Sequence, residues 1–425
     1  MIDSRPMPLA PLAILRILFG SVMVASCVRF AWLGWIREQY IDPVMHFPYT
    51  GFELVVSLGD PGMYVLFGVM TLAALGVALG AWYRVSSIMF FLCFTYVELI
   101  DKTYYLNHYY FVSIAAFLFC LLPAHRRFSI DVLRRPEWRL DVMPRWMLDV
   151  FKVQIGIVYL FAGIAKINHA WLIDAMPLRI WLPAQNDLPL IGPLMTLWWL
   201  PWVFAWAGMI FDCAVPFLLW NKRTRPYAYV MVVVFHIITG MMFQIGVFPL
   251  VMIAMTVVFF EPGAQRTSTI NADRAAVLPR PLKLVLAVHF VLQILLPLRF
   301  LMYPGELFWT EDGYRFSWRV MLMEKAGTAT FTVWDGATGR GGIVDNSDFL
   351  NAHQEKQMAM QPDMVVQYAK FLRDEYARRG VARPRVTADV WVTLNGAPAQ
   401  RMVDPTRDLA QDEIGIAPSS WVVSR

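Results

Sequence analysis

The chain has 425 residues, is 58% hydrophobic and only 16% charged, and has a mean hydropathy of +0.48. That balance excludes an ordinary soluble protein of this size, in which roughly 45–50% of residues are apolar and roughly 25% charged. The net charge of +5 does not argue for nucleic acid, because the basic residues gather in short loops between apolar runs.

Apolar runs of roughly 17–25 residues are long enough to cross a bilayer as helices. About nine are expected, near 9–36, 62–83, 85–101, 108–123, 147–166, 193–220, 226–242, 245–260 and 282–302. The third, fourth and eighth are short, which suits tilt or partial insertion. The first, MIDSRPMPLAPLAILRILFG, shows no small-residue cleavage site and reads as an uncleaved span.

The loops set an orientation. Arg126, Arg127, Arg134, Arg135, Arg139 and Arg145 separate the fourth and fifth runs; Lys222, Arg223 and Arg225 separate the sixth and seventh; Arg266, Arg274, Arg280 and Lys283 follow the eighth. Loops of the other parity are neutral or acidic, with Glu38, Asp42, Glu53 and Asp60 against Arg37 in 37–61. The positive-inside rule then puts the N-terminus in the cytoplasm and the C-terminal part outside, as an odd span count requires.

Past residue 302 the chain turns polar. FTVWD, GATGRGG and IVD read as a hairpin, 348–379 as a helix ending at Gly380, and VTADVWVTL with AQRMVD around NGAP as a second hairpin. The expected architecture is a polytopic α-helical membrane domain over 1–302 and a soluble α+β domain with a small β-rich sheet over 303–425.

Ionisable groups inside spans are expensive and often functional. Arg16 and Arg29 lie in the first run, Asp149 and Lys152 in the fifth, Asp212 in the sixth and His236 in the seventh. Internal pairing or snorkelling accounts for Arg16, Asp149, Lys152 and Asp212, and helix packing for His236. Two stretches stand apart. ELIDKTYYLNHYYF sets Asp101, Lys102, Asn107 and His108 among tyrosines at the outer boundary, where an aromatic belt explains only the tyrosines. FAGIAKINHAWL ends the fifth run on Lys166, which is either an interface anchor or a base in a dry pocket. Cys27, Cys93, Cys120 and Cys213 fall inside apolar runs and read as buried free thiols. No His/Cys/carboxylate spacing suits a metal, and no nucleophile elbow, P-loop or dinucleotide fingerprint is present.

These stretches carry a family resemblance. LAILRILFG, GVALGAWYRVS, DKTYYLNHYYF, QIGIVYLFAGIAKINHAW, FHIITGMMFQIGVFPLVM, GYRFSW and VWVTLNGAPAQRMVDPTRDL occur in family order over nearly the whole chain. The sequence resembles the vitamin K-dependent γ-glutamyl carboxylase family through its bacterial HTTM-domain relatives. The resemblance implies that Lys166 deprotonates the hydroquinone of vitamin K (phylloquinone or menaquinone). Oxygenation to the epoxide then yields a base that takes a γ-proton from glutamate, and carbon dioxide adds. Asn107 and His108 would orient the quinone, with Tyr159, His236, Asp101 and Lys102 around it. Tyr314, Trp318 and Arg401 would shape the peptide side.

The implied co-substrates are O2 and CO2, without a metal. The implied partners are the lipid bilayer and an exported glutamate-bearing protein or peptide, not nucleic acid, and the implied place is a bacterial cytoplasmic membrane with the tail periplasmic or extracellular. The chemistry requires a neutral amine, and free lysine, with a pKa of about 10.4, is protonated near neutrality. Burial disfavours the ammonium by up to roughly 3–5 units, and in the sequence no carboxylate adjoins Lys166, Asp174 being the nearest acid after it. The chain departs from the animal enzymes at Ala165, in place of the first of two adjacent lysines, at Met323, in place of a histidine, and at Lys325, in place of an arginine. Two further readings follow: quinol oxygenation without glutamate carboxylation, and a non-catalytic quinone- or lipid-binding or transport protein. Against transport, no inverted-repeat symmetry is visible.

Overall fold

The computed structural model describes residues 5–189, 191–243, 245–261, 279–415 and 417–425. The apolar part runs through α1 (Ala10–Trp32), α2 (Gly59–Leu79), α3 (Tyr83–Ile100), α4 (Asn107–Leu121), α5 (Trp146–Ala165), α6 (Leu200–Trp220), α7 (Arg225–Met242), α8 (Phe248–Thr256) and α9 (Arg280–Leu298). Among the described residues, seven of these are long and apolar enough to cross a membrane; α4 and α8 are shorter. Of the roughly nine expected spans, seven are thus of crossing length, and the fourth and eighth, expected to be short, are shorter helices. Residues 101–106 are used as a turn before α4, and Gly246, at φ +59, and Pro249 delay the start of α8. Both short helices are packed into the interior through residues such as Phe111, Phe119, Val251 and Met255. The first run also breaks at Gly34, and α6 begins at Leu200 instead of 193.

Arg16 is fully buried in α1 and spends its guanidinium on backbone carbonyls: Ala78 at 2.8 Å, Phe128 at 2.7 Å, and also Val77 and Ala124. A charged fork with several donors is thereby satisfied without leaving the bundle. Lys152 pairs with Asp149 at 3.4 Å, one helical turn away, and with Glu261. Cys27 and Cys93 are buried, but Cys120 and Cys213 are only half-buried, because neighbouring helices cover α4 and α6 incompletely at those positions; all four thiols are free. A two-stranded pairing of β1 (Pro6–Pro8) with β2 (Val142–Pro144) ties the N-terminal segment to the start of α5.

The tail holds β3 (Lys325–Trp334), β4 (Gly341–Ile343), α10 (Ala352–Met360), α11 (Pro362–Arg378), β5 (Arg385–Leu394) and β6 (Gln400–Arg401). The two expected hairpins, β3–β4 and β5–β6, join by antiparallel pairing of β3 with β5 into one sheet of order β4-β3-β5-β6. The single helix expected over 348–379 is two helices. Gln361 is extended, as the residue before a proline is pushed to be, and Pro362 opens α11.

The tail docks on the loops of acidic or neutral parity. Gln354 donates to the Met45 carbonyl at 2.8 Å, Lys102 meets Asp363 at 2.6 Å, and Trp181 donates to Glu324 at 2.6 Å. The arginine-rich stretch 126–145 leads into the start of α5, while Lys166, at its far end, adjoins residues that pack on Leu322 of the tail. Arg266 and Arg274 lie outside the described residues.

Candidate active site around Lys166

The helix α5 stops where it does because of Asn168. Its Nδ2 donates to the Ala165 carbonyl at 2.9 Å, and its Oδ1 accepts from the Trp171 amide at 2.9 Å. One side chain thus caps the end of α5 and the start of the short helix His169–Leu172. Lys166 is left at the C-cap, only 7% exposed.

Its amine is not alone. Lys166 Nζ lies 2.8 Å from Asp212 Oδ2 and 3.3 Å from the Ala162 carbonyl, with the Trp171 ring centroid 5.4 Å away. The expectation of a lysine in a carboxylate-free apolar setting is corrected: the acid comes from α6 and is itself 4% exposed. The two helices meet this closely because residue 163 is glycine. A Cβ there would sit 2.6 Å from Cys213 Sγ and 2.8 Å from the Cys213 nitrogen.

Two turns below Lys166 on α5, Tyr159 packs edge-on against Phe211 and His236, with centroids 5.9 and 6.2 Å apart, and Asp212 is within electrostatic reach of its hydroxyl. The His236 ring meets Phe248 at 5.6 Å, and Phe248 meets His108 at 5.1 Å. His236 Nδ1 sits 2.8 Å from the Val232 carbonyl, so in the neutral ring Nδ1 is the donor and Nε2 the acceptor. Tyr159, His236 and His108 are thus joined by an aromatic bridge through Phe248. His108 Nε2 completes no hydrogen bond, and Tyr159 Oη and Thr256 Oγ1 face each other without a well-formed one. Such atoms are rare in a folded interior and are the groups a dioxygenated ring would satisfy.

The other candidate residues lie elsewhere. Asn107 donates to the Arg319 carbonyl at 3.1 Å and accepts from the Tyr105 hydroxyl, so it ties the start of α4 to the tail. Asp101 caps the Lys102–Tyr104 turn and accepts from Gln354 at 2.7 Å. Lys102 and Arg315 converge on Asp363. Burial alone would raise the Asp363 carboxyl, but Arg315 and Lys102 hold it well below the usual carboxylate range. Trp318, 1% exposed, stacks on Tyr110 at 4.8 Å within the helical core. Tyr314 packs edge-on to Phe308, whereas Arg401 is exposed on β6, over Trp391 and 3.0 Å from Asp389. These three stand in three different environments.

Asp212 and Thr256 are the members that sequence reasoning did not place at the site. An acid in mid-span was the signal for Asp212, but nothing local says which base it meets; Thr256 carries no signal. Among the described residues, no group of three or more His, Cys, Asp or Glu is placed to hold a metal.

Comparison with known proteins matches the two parts of the chain separately. Residues 4–263 match the HTTM domain, and residues 279–425 match the lumenal domain of vitamin K-dependent gamma-carboxylase. No solved structure matches the chain. With the apolar helices and the buried lysine already in place, the two matches identify the chain as an integral membrane member of the vitamin K-dependent γ-carboxylase family.

Proposed function

We propose that the chain is a membrane enzyme that couples oxygenation of a reduced naphthoquinone to carboxylation of glutamate in an exported peptide. The observation that carries this reading is the dry Lys166–Asp212 pair beside Tyr159, linked through His236 and Phe248 to the unbonded His108 Nε2, in a chain matching both domains of the carboxylase family. Bound there, the quinol supplies, through its oxidation to the epoxide, a base strong enough to remove a γ-proton from glutamate.

The protein's own groups have simpler tasks. Lys166 Nζ accepts a hydroxyl proton. His108, Tyr159 and His236 hold the ring oxygens, and Thr256 fills out the same pocket. Phe248 and Phe211 keep the ring's surroundings dry, which strengthens every charge interaction inside. Asn107, with Asp101 and Lys102, holds α4 against the tail and so fixes where His108 stands. In this reading residues 1–302 hold the quinol and 303–425 the peptide, which meets Tyr314 and Arg401; Trp318 supports that side from within. All nine apolar helices traverse or fill the bilayer, the N-terminus is cytoplasmic, and the tail lies outside a bacterial cytoplasmic membrane. The arginine-rich loops and the tail docking at opposite ends of α5 support that orientation.

A second reading, oxygenation without carboxylation, is favoured by one observation. Lys325, at the family's arginine position, is buried, 2.8 Å from Glu311 Oε1 and 2.9 Å from the Trp309 carbonyl, so its charge is already matched. One experiment separates the readings. The purified protein in lipid receives reduced menaquinone or phylloquinone, oxygen, labelled bicarbonate and glutamyl peptides, and epoxide and fixed label are followed separately. Both products support the first reading, epoxide alone supports the second, and neither removes both.

A further inference from the structure

We propose that the proton-accepting unit is the Lys166–Asp212 pair, in which Lys166 relays the proton and Asp212 keeps it. This rests on the quinol reading above and deepens it.

At 2.8 Å, with both groups nearly fully buried, the pair holds one transferable proton between two heteroatoms. A lysine beside an ionised carboxylate in a dry setting is an ammonium, because an isolated carboxylate there would be far more costly than a matched pair. An ammonium has no lone pair and accepts nothing. For Lys166 to take a proton it must first give one up, and Asp212 Oδ2 is the acceptor in contact with it.

The step balances. An N–H bond of Lys166 breaks as an O–H bond forms on Asp212. A hydroxyl O–H of the quinol breaks as a new N–H bond forms on Lys166. The negative charge leaves Asp212 and resides on the deprotonated oxygen, next to an ammonium that is again positive. The pair's total charge rises by one and the ligand's falls by one. No charge is left unmatched in the interior, as would happen if a lone neutral lysine had to be created first.

The titratable groups facing the pair are few. Tyr159 on α5 lies within electrostatic reach of Asp212, and Cys213 on α6 within reach of both partners. Trp171 covers the amine without titrating. Gly163 fixes the separation, since any side chain there would collide with Cys213. Asp212 is therefore a positioning and relaying residue; the group that touches the ligand is Lys166.

The test uses the whole protein in lipid with reduced menaquinone under anaerobic conditions, read by infrared difference spectroscopy. On quinol binding, a protonated-carboxyl band is expected in the wild type, shifted in Asp212→Glu and missing in Asp212→Asn. With oxygen present, quinol oxidation is expected to fall by roughly 100-fold or more in Asp212→Asn and to recover in part in Asp212→Glu, with an altered pH profile. Quinol bound without the carboxyl band overturns the relay and leaves the functional reading standing. Asp212→Asn oxidising quinol at the wild-type rate does the same. Should Asp212→Asn fail to fold, an unshifted band in Asp212→Glu overturns the assignment. If the wild type does not bind the quinol at all, the functional reading itself falls, and the relay with it.

Discussion

Lys102 Nζ and Asp363 Oδ2 meet at 2.6 Å across the junction between the end of α3 and the start of α11, and Arg315 reaches the same carboxylate at 2.8 Å. Two cations thus share one acid where the tail sits on the membrane helices. Lys102 is 3% exposed, so the pair is desolvated and its geometry matters more than its Coulomb energy. Asp363→Asn leaves two buried cations unmatched and is expected to destabilise docking of the tail by about 3–5 kcal/mol. Thermal unfolding in detergent measures this; an unchanged midpoint would show that water reaches the network.

The same carboxyl gives a pH dependence with a definite sign. Its folded pKa lies below the value of about 3.9 for a free aspartate, so its stabilisation is complete above about pH 5. It fades as the pH falls below the unfolded value and is gone only once the folded value is passed. Acid titration should therefore loosen the tail in the wild type only in strong acid, with a smaller acid dependence in Asp363→Asn.

Gly163→Ala tests the close approach of α5 and α6. The added Cβ would fall 2.6 Å from Cys213 Sγ and 3.1 Å from the Asp212 carbonyl carbon, so the helices must part. A loss of about 1–3 kcal/mol of stability is expected, together with lower quinol oxidation, because the Lys166–Asp212 contact lengthens. A variant as stable and active as the wild type would contradict the packing described.

Lys166→Arg keeps a cation beside Asp212 but removes the proton exchange, since arginine does not deprotonate in proteins. It is expected to fold and to lose quinol oxidation by roughly 100-fold or more. Retained turnover would mean that the charge alone suffices. Lys166→Ala should lose both the activity and the partner for Asp212.

Gln154, His289, Gln293 and Tyr110 form a buried chain between α5, α9 and α4. His289 Nε2 donates to Gln154 Oε1 at 3.0 Å, Gln154 Nε2 to Gln293 Oε1 at 3.1 Å, and Gln293 Nε2 to the Tyr110 hydroxyl at 2.8 Å. Interhelical hydrogen bonds in membranes are worth only about 0.6 kcal/mol on average and about 1.7 at most. Gln154→Leu should therefore cost less than about 2 kcal/mol yet speed hydrogen exchange in α9, the helix that leads into the tail. A collapse of the fold would contradict this.

Much was legible in the sequence by itself. Apolar runs placed the long helices to within a few residues, the start of α6 apart, because a bilayer-length segment must be apolar along its whole length. Alternation around NGAP and GATGRGG marked the strands of the tail, and the arginine-rich loops distinguished one set of helix ends from the other. The order of the family's motifs, from DKTYYLNHYYF to VWVTLNGAPAQRMVDPTRDL, identified the family that the domain matches then showed. The break at Pro362, by contrast, escapes the reading of 348–379 as one helix, although proline and the residue before it do not continue a helix.

Which faces meet was decided only in three dimensions. Lys166 and Asp212 are 46 residues apart, and no local pattern joins them. They are partners because Gly163 lets two helices touch. Asp101, Lys102 and Asn107 looked like pocket residues beside His108, yet the docked tail engages them, while Thr256 and Phe248 reach the cluster from α8. Hydrophobic periodicity reports what one segment needs to bury, whereas the identity of the group it is buried against depends on the packing of all the others.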